Sequence, residues 1–313
     1  SPALPALAIA NAVAANTPAT LPAIDNSNTN RLRVSGPAFA IDFDKSTGYL
    51  CGYKAGGVSM LENGEAITPN FWRAGTDNDF GADVNNKWAT WRNPLIKLTS
   101  LDATMRDGLA VVTADYDMPT VKASLRMTYT INNEGAVLLT QTMTATKGAD
   151  VPEMFRFGLE IPMPDDMDIS TYYGRGPIEN YADRNNAAFI GLYTQTASEQ
   201  AYPYIRPQET GTKSDMRWWR QANRGNRGLM VTSDKPFFAS ATHYTTQSLD
   251  DGDRKHQRHF PEIDPVDYTI LRIDGEHVGV GGVDSWSERG LALPQYRVPY
   301  GDHSMSVLLT PSK

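Results

Sequence analysis

Short runs that alternate apolar and polar residues, each closed by a turn, recur along most of this 313-residue chain, and that period of two constrains the fold more than any other feature. Phe39-Ala40-Ile41-Asp42-Phe43-Asp44 alternates, Lys45-Ser46-Thr47-Gly48 turns, Tyr49-Leu50-Cys51-Gly52-Tyr53 resumes, and Gly56-Gly57 turns again. Comparable runs cover 109–116, 123–131, 136–144, 155–161, 228–232, 237–242, 268–274 and 304–310. Helical periodicity is scarce. One short helix is expected near Thr246 or Ser248, with Asp250 and Asp251 in its first turn, and another around Asn85 to Trp91. Many hairpin strands without a β/α alternation predict an all-β fold, a large antiparallel β-sandwich with both inner faces apolar.

Composition is even from Arg31 to Lys313, which predicts one domain over 31–313; a split near Asp150 to Asp168 is the alternative. Residues 1–30 read as an Ala/Pro-rich connector without the basic start of a signal peptide, and Arg31-Leu32-Arg33-Val34 is the first clear strand signal. A net charge of -7 offers no basic footprint for nucleic acid or an anionic membrane. The single Cys51 excludes an internal disulfide framework and a cysteine-based zinc site. No apolar run approaches the roughly 20 residues needed to span a bilayer, so a soluble chain is expected, and cytoplasm and periplasm suit it equally.

The densest stretch is Tyr172-Tyr173-Gly174-Arg175-Gly176-Pro177-Ile178-Glu179-Asn180-Tyr181-Ala182-Asp183-Arg184. Its glycines, tyrosines and opposite charges read as a loop in which Gly174 and Gly176 take positive φ and the Arg/Glu/Asp set locks in charge-assisted pairs. A structural clamp and direct ligand contact are both open for it. Trp286 lies on a Gly281-Gly282 loop, where an indole is poorly placed for a core and well suited to the C–H face of a pyranose. Asp284 beside it reads as the cap of that turn.

Hydrolysis by a pair of carboxyl groups needs the two about 5 Å apart, one with a raised pKa. Glu179, Asp183 and Glu209 are candidates, but neighbouring arginines would depress them, which favours scaffold roles for Glu179, Arg184 and Glu209. Thr76-Asp77-Asn78-Asp79 offers oxygen ligands for a hard cation, or a self-satisfied turn. His256 and His259 have no third ligand in view, so a zinc site is not expected. His243 or His277 with Glu179 or Glu209 would be the acid/base pair of a mutarotase-like site. Trp72, Trp88, Trp91, Trp218 and Trp219 are the candidates for an exposed carbohydrate-binding platform.

Four ordered segments, 70–81 (Asn-Phe-Trp-Arg-Ala-Gly-Thr-Asp-Asn-Asp-Phe-Gly), 174–184, 202–211 (Tyr-Pro-Tyr-Ile-Arg-Pro-Gln-Glu-Thr-Gly) and 272–286 (through Gly-Gly-Val-Asp-Ser-Trp), together resemble the C-terminal small-chain domain of the β-galactosidases of glycoside hydrolase family 2. Gly75 stands where that family usually has proline. The resemblance implies a β-supersandwich related to the galactose mutarotases, and catalytic glutamates in a TIM barrel that this chain does not contain. It implies substrate contact by Trp286 and, more weakly, Asp284. Motif scaffold roles fall to Arg73, Asp77, Asp79, Arg175, Glu179, Asn180, Asp183, Arg184 and Glu209. Partners would be the barrel and other domains of the same enzyme, with homo-oligomer formation open, a galactoside as substrate and residues 1–30 as the link to a preceding domain. No cofactor or metal is expected in this chain; magnesium or sodium would belong to the longer protein.

Overall fold

The computed structural model describes residues 21–312. Its strands form two antiparallel sheets. The smaller follows the chain, β1 (Ala23–Asp25), β2 (Arg31–Gly36), β3 (Phe39–Asp44), β4 (Leu50–Ala55) and β5 (Val58–Ser59), each paired to the next. The fold therefore begins before the first strand signalled at Arg31, because Ile24 pairs with Val34. That pairing makes part of the expected connector structural; residues 1–20 of it lie outside the described residues.

The larger sheet contains β6 (Thr68–Asn70), β7 (Lys97–Arg106), β8 (Leu109–Met118), β9 (Ala123–Ile131), β10 (Val137–Ala145), β11 (Arg156–Pro164), β12 (Ile169–Gly176), β13 (Phe189–Thr196), β14 (Lys213–Ala222), β15 (Gly228–Thr242), β16 (Tyr268–His277) and β17 (His303–Ser312). Its main order is β13-β12-β14-β15-β17-β10-β9-β8-β7. The far end of β15 pairs with β16, β16 with β11, and β11 with β6. The interval Asp150 to Asp168 is thus occupied by β11, and β10 before it pairs with β17 after it.

Strict alternation explains the local structure. In β9 every second residue from Ala123 to Ile131 is buried, and in β3 Phe39, Ile41 and Phe43 point inward. Phe43 meets Tyr129 edge to face at 4.9 Å, so the two sheets share one core that runs from Leu32 to Leu309. The runs 228–232 and 237–242 are one fifteen-residue strand that continues through Pro236.

Among the described residues the helices are short, as expected. α1 (Asp77–Gly81), α2 (Val84–Lys87), α3 (Ala197–Gln200) and α4 (Thr246–Leu249) lie in the connections. Asp250 and Asp251 fall after α4 and not in its first turn: Asp250 caps its C-terminal end, and Thr245 is the N-cap. Residues Tyr172 to Gly176 are the end of β12 and not a loop. Gly174 and Gly176 do not take positive φ; they give room, since a Cβ on Gly174 would come 2.2 Å from Met216 Cε. Packing demanded those glycines, not turning.

Candidate functional site

After β16 the chain leaves the sheet and forms the loop that carries Trp286, whose surface is 80% exposed. A core role for this ring is excluded. The loop is closed on itself: Val283 N donates to the Arg289 carbonyl at 2.7 Å, and a Cβ on Gly282 would stand 2.2 Å from the Gly290 carbonyl oxygen. Asp284 accepts from Trp286 N at 3.2 Å, Ser287 N at 3.0 Å and Ser287 Oγ at 2.7 Å. The Ser287 hydroxyl, ahead of the two amides, holds that carboxyl below its ordinary range. A charged turn cap fixes the backbone on which the indole stands.

Segment 70–81 supports this loop from one side. Thr76 caps α1, and its capping box places the Asp79 carboxylate on the Thr76 amide at 2.8 Å. Asp79 also accepts two bonds from buried Arg73 Nη2, at 2.9 Å each, and Arg73 donates onward to the carbonyls of Val278 and Gly279 at 3.1 Å. The 76–79 stretch is therefore the start of a helix and not a cation loop. Asp77 is occupied by Arg206 at 3.0 Å and Lys255 at 2.7 Å; burial opposes its ionisation, but these cations outweigh that and lower its pKa. A Cβ on Gly81 would come 2.3 Å from the Ser285 carbonyl oxygen, so α1 lies directly under the Trp286 peptide.

Segment 174–184 supports it from another side. Asp183 accepts from Val280 N at 3.0 Å and Gly281 N at 2.7 Å, and a Cβ on Gly279 would meet its carboxylate at 2.3 Å. Glycine is required here for close approach. Arg175 pairs with Asp215 at 2.5 Å and donates to the carbonyls of Asn185 and Ala188. Asn180 is buried, giving its amide to the Arg175 and Ile178 carbonyls and accepting from Ser214 N and Oγ.

The carboxylates weighed for catalysis are all engaged. Glu179 accepts from Arg184, from the Tyr204 hydroxyl, from Gly211 N at 2.8 Å and from Thr210 Oγ1 at 3.2 Å. Glu209 accepts from Thr212 Oγ1 at 2.7 Å and lies 3.9 Å from Arg156 Nη1. His243 bonds the Tyr268 carbonyl at 2.9 Å, and no hydrogen bond or ion pair joins it to Glu179 or Glu209 among the described residues. His277 does approach Glu209, at 3.8 Å, but it is buried, and burial drives its pKa well down, so the ring is neutral and closed to a sugar. Of the five tryptophans weighed for an aromatic platform, Trp72, Trp88, Trp91 and Trp219 are buried and Trp218 is half-buried, so among the described residues they form no exposed platform.

Sequence reasoning missed two buried groups. Arg156 on β11 pairs with Asp274 on β16 at 2.8 Å, both fully buried, and burial pushes the Asp274 carboxyl up to about 6 despite the guanidinium. Among the described residues the Lys213 ammonium on β14 has only Gln200 Oε1 at 3.1 Å and the Gly211 carbonyl at 2.9 Å as hydrogen-bond partners, with the Tyr172 ring beneath it. Phe155-Arg156-Phe157 places a lone charge inside an apolar run, a signal that could have marked Arg156, whereas Lys213 sits in the polar stretch Gly211-Thr212-Lys213-Ser214-Asp215 and carries no such signal.

The site as built carries the open Trp286 ring on a loop tied down by hydrogen bonds, and its acids are engaged in hydrogen bonds and ion pairs. A family model described as "Beta galactosidase small chain" matches residues 35–309. The β-galactosidase of Priestia megaterium is 32% identical over 288 residues, which are 91% of this chain and 27% of that protein. That of Lactobacillus delbrueckii subsp. bulgaricus is 29% identical over 261 residues, 82% of this chain and 25% of that protein. The chain thus spans about a quarter of the length of these relatives. Among solved structures, galactose 1-epimerase from Lactobacillus acidophilus NCFM superposes with a TM-score of 0.49 at 10% identity, covering 93% of this chain and 98% of that one. The match to the family model runs from β2 to β17, across both sheets and all four segments around Trp286, and this chain belongs to the β-galactosidase small-chain family.

Proposed function

We propose that the chain is the C-terminal part of a β-galactosidase that hydrolyses terminal non-reducing β-D-galactosides with retention, and that its own share of the site is Trp286. The observation that carries this reading is the 80% exposure of Trp286 on a loop tied down by Asp183, Arg73 and Gly81. A loop backbone held by these bonds has little entropy left to lose on binding, and the open indole it carries suits stacking on a pyranose face. Glu179 and Glu209 are committed to hydrogen bonds inside the scaffold, so the nucleophile and the general acid are assigned to a barrel outside this chain. Magnesium or sodium, expected from the resemblance, belongs in this reading to the remainder of the enzyme. Asp284 acts through the turn it caps, as a positioning residue.

The test is turnover of a chromogenic β-galactoside by the chain alone and after mixing with a fragment carrying the remainder of a relative. Silence alone and activity on mixing, weakened by Trp286→Ala, are the expected results. Turnover by the chain alone would overturn the reading.

A further inference from the structure

The two ends of the larger sheet are finished differently. β7, at one end, carries exposed Lys97, Asp102 and Arg106, the charges that keep an open edge from pairing with another chain. β13, at the other end, reads Phe-Ile-Gly-Leu-Tyr-Thr-Gln-Thr and has neither a charge nor a proline. It pairs with β12 on one side, and the sheet ends there among the described residues. Phe189 is 74% exposed and Leu192 66%, with Ile190 also exposed and Tyr173 of β12 exposed opposite Leu192. An uncharged edge with large apolar side chains is a surface built for strand pairing.

We propose that this edge pairs antiparallel with β13 of a second copy of the chain, about a two-fold axis through Gly191. The sequence is self-complementary in that register. Ile190 falls opposite Leu192 of the second copy, and Phe189 opposite its Tyr193, so each apolar side chain meets another on the same face. The charge pattern agrees. β13 brings no like charges together, and the nearest cation, Arg175 opposite Ile190 on β12, is neutralised by Asp215 at 2.5 Å. Gly191 at the axis adds no side chain of its own, and the Tyr193 ring lies over it, 3.0 Å from where a Cβ would stand. This inference owes nothing to the role given to Trp286.

Light scattering of the chain over a concentration series tests it, with a dimer of twice 34.5 kDa expected at micromolar concentration. Leu192→Lys, at a position too exposed to threaten the fold, is expected to weaken the dimer about 100-fold or more. In a Cys51→Ser background, Gly191→Cys is expected to form an intermolecular disulfide on oxidation. Leu192→Cys is not, because the offset of two residues carries its Cα atoms beyond roughly 7 Å. A monomer at every concentration, a dimer that Leu192→Lys leaves intact, or cross-linking by Leu192→Cys in place of Gly191→Cys would each overturn the proposal.

Discussion

The Asp183 carboxylate accepts the backbone amide of Gly281 at 2.7 Å, joining positions 98 apart in sequence at the root of the Trp286 loop. With Val280 N at 3.0 Å it forms a two-amide clamp. Asp183→Ala leaves both amides without their acceptor, so unfolding free energy should drop by about 2 kcal/mol. Asp183→Asn, which keeps one acceptor oxygen, should fall between. Urea titration monitored by fluorescence measures both, and an unchanged midpoint for the alanine variant would remove the clamp from the account.

Trp286→Ala separates function from folding. A ring this exposed contributes little to the core, and stability should change by no more than about 0.5 kcal/mol. Activity of the mixed enzyme should fall at least about tenfold, equal to about 1.4 kcal/mol of lost stabilisation. Equal activity of the variant and the parent would detach the indole from the sugar.

Lys213 gives a pH signature. Burial brings its pKa down to about 7 from an ordinary value of 10.5. Between those values the unfolded chain holds a proton that the folded chain has released, so this group makes stability rise as pH increases from about 7 toward 10.5. Lys213→Met should flatten that rise. Unfolding free energies at pH 7 and pH 10 for both proteins decide the matter, and parallel pH profiles would contradict it.

Gly282→Ala tests the closure of the loop. The added methyl group would stand 2.2 Å from the Gly290 carbonyl oxygen, a backbone atom with no rotamer to move. The two arms of the loop must part, with a stability loss of about 1–3 kcal/mol and a weaker contribution of Trp286 in the mixing assay. Retained Trp286 activity at full stability would show that the arms are free to separate.

Several strands with one buried face were legible residue by residue, while β7 and β14 were not among the alternating runs. β3 spans the alternating run 39–44 and β9 the run 123–131, because each has a single apolar side to hide. β13 escaped because it lies on the rim and packs only Tyr193 against the core, and the end of β12 because glycines needed for contact with Met216 resemble glycines needed for a turn. At the site, the Gly-Gly-x-Asp-Ser-Trp pattern was enough to predict an exposed indole. The partners that hold it were not legible: Arg73 and Gly279 are 206 positions apart, and no local pattern encodes a bond of that length.

The pairing of β10 with β17 bears on how the chain is made. Between Ala145 and His303 the ribosome adds 157 residues, and at ordinary elongation rates this takes roughly 8 to 30 s. During that interval β10 has β9 on one side and nothing native on the other. The nascent sheet therefore waits, half closed, for a strand not yet synthesised, and its middle is the segment a chaperone would need to shield.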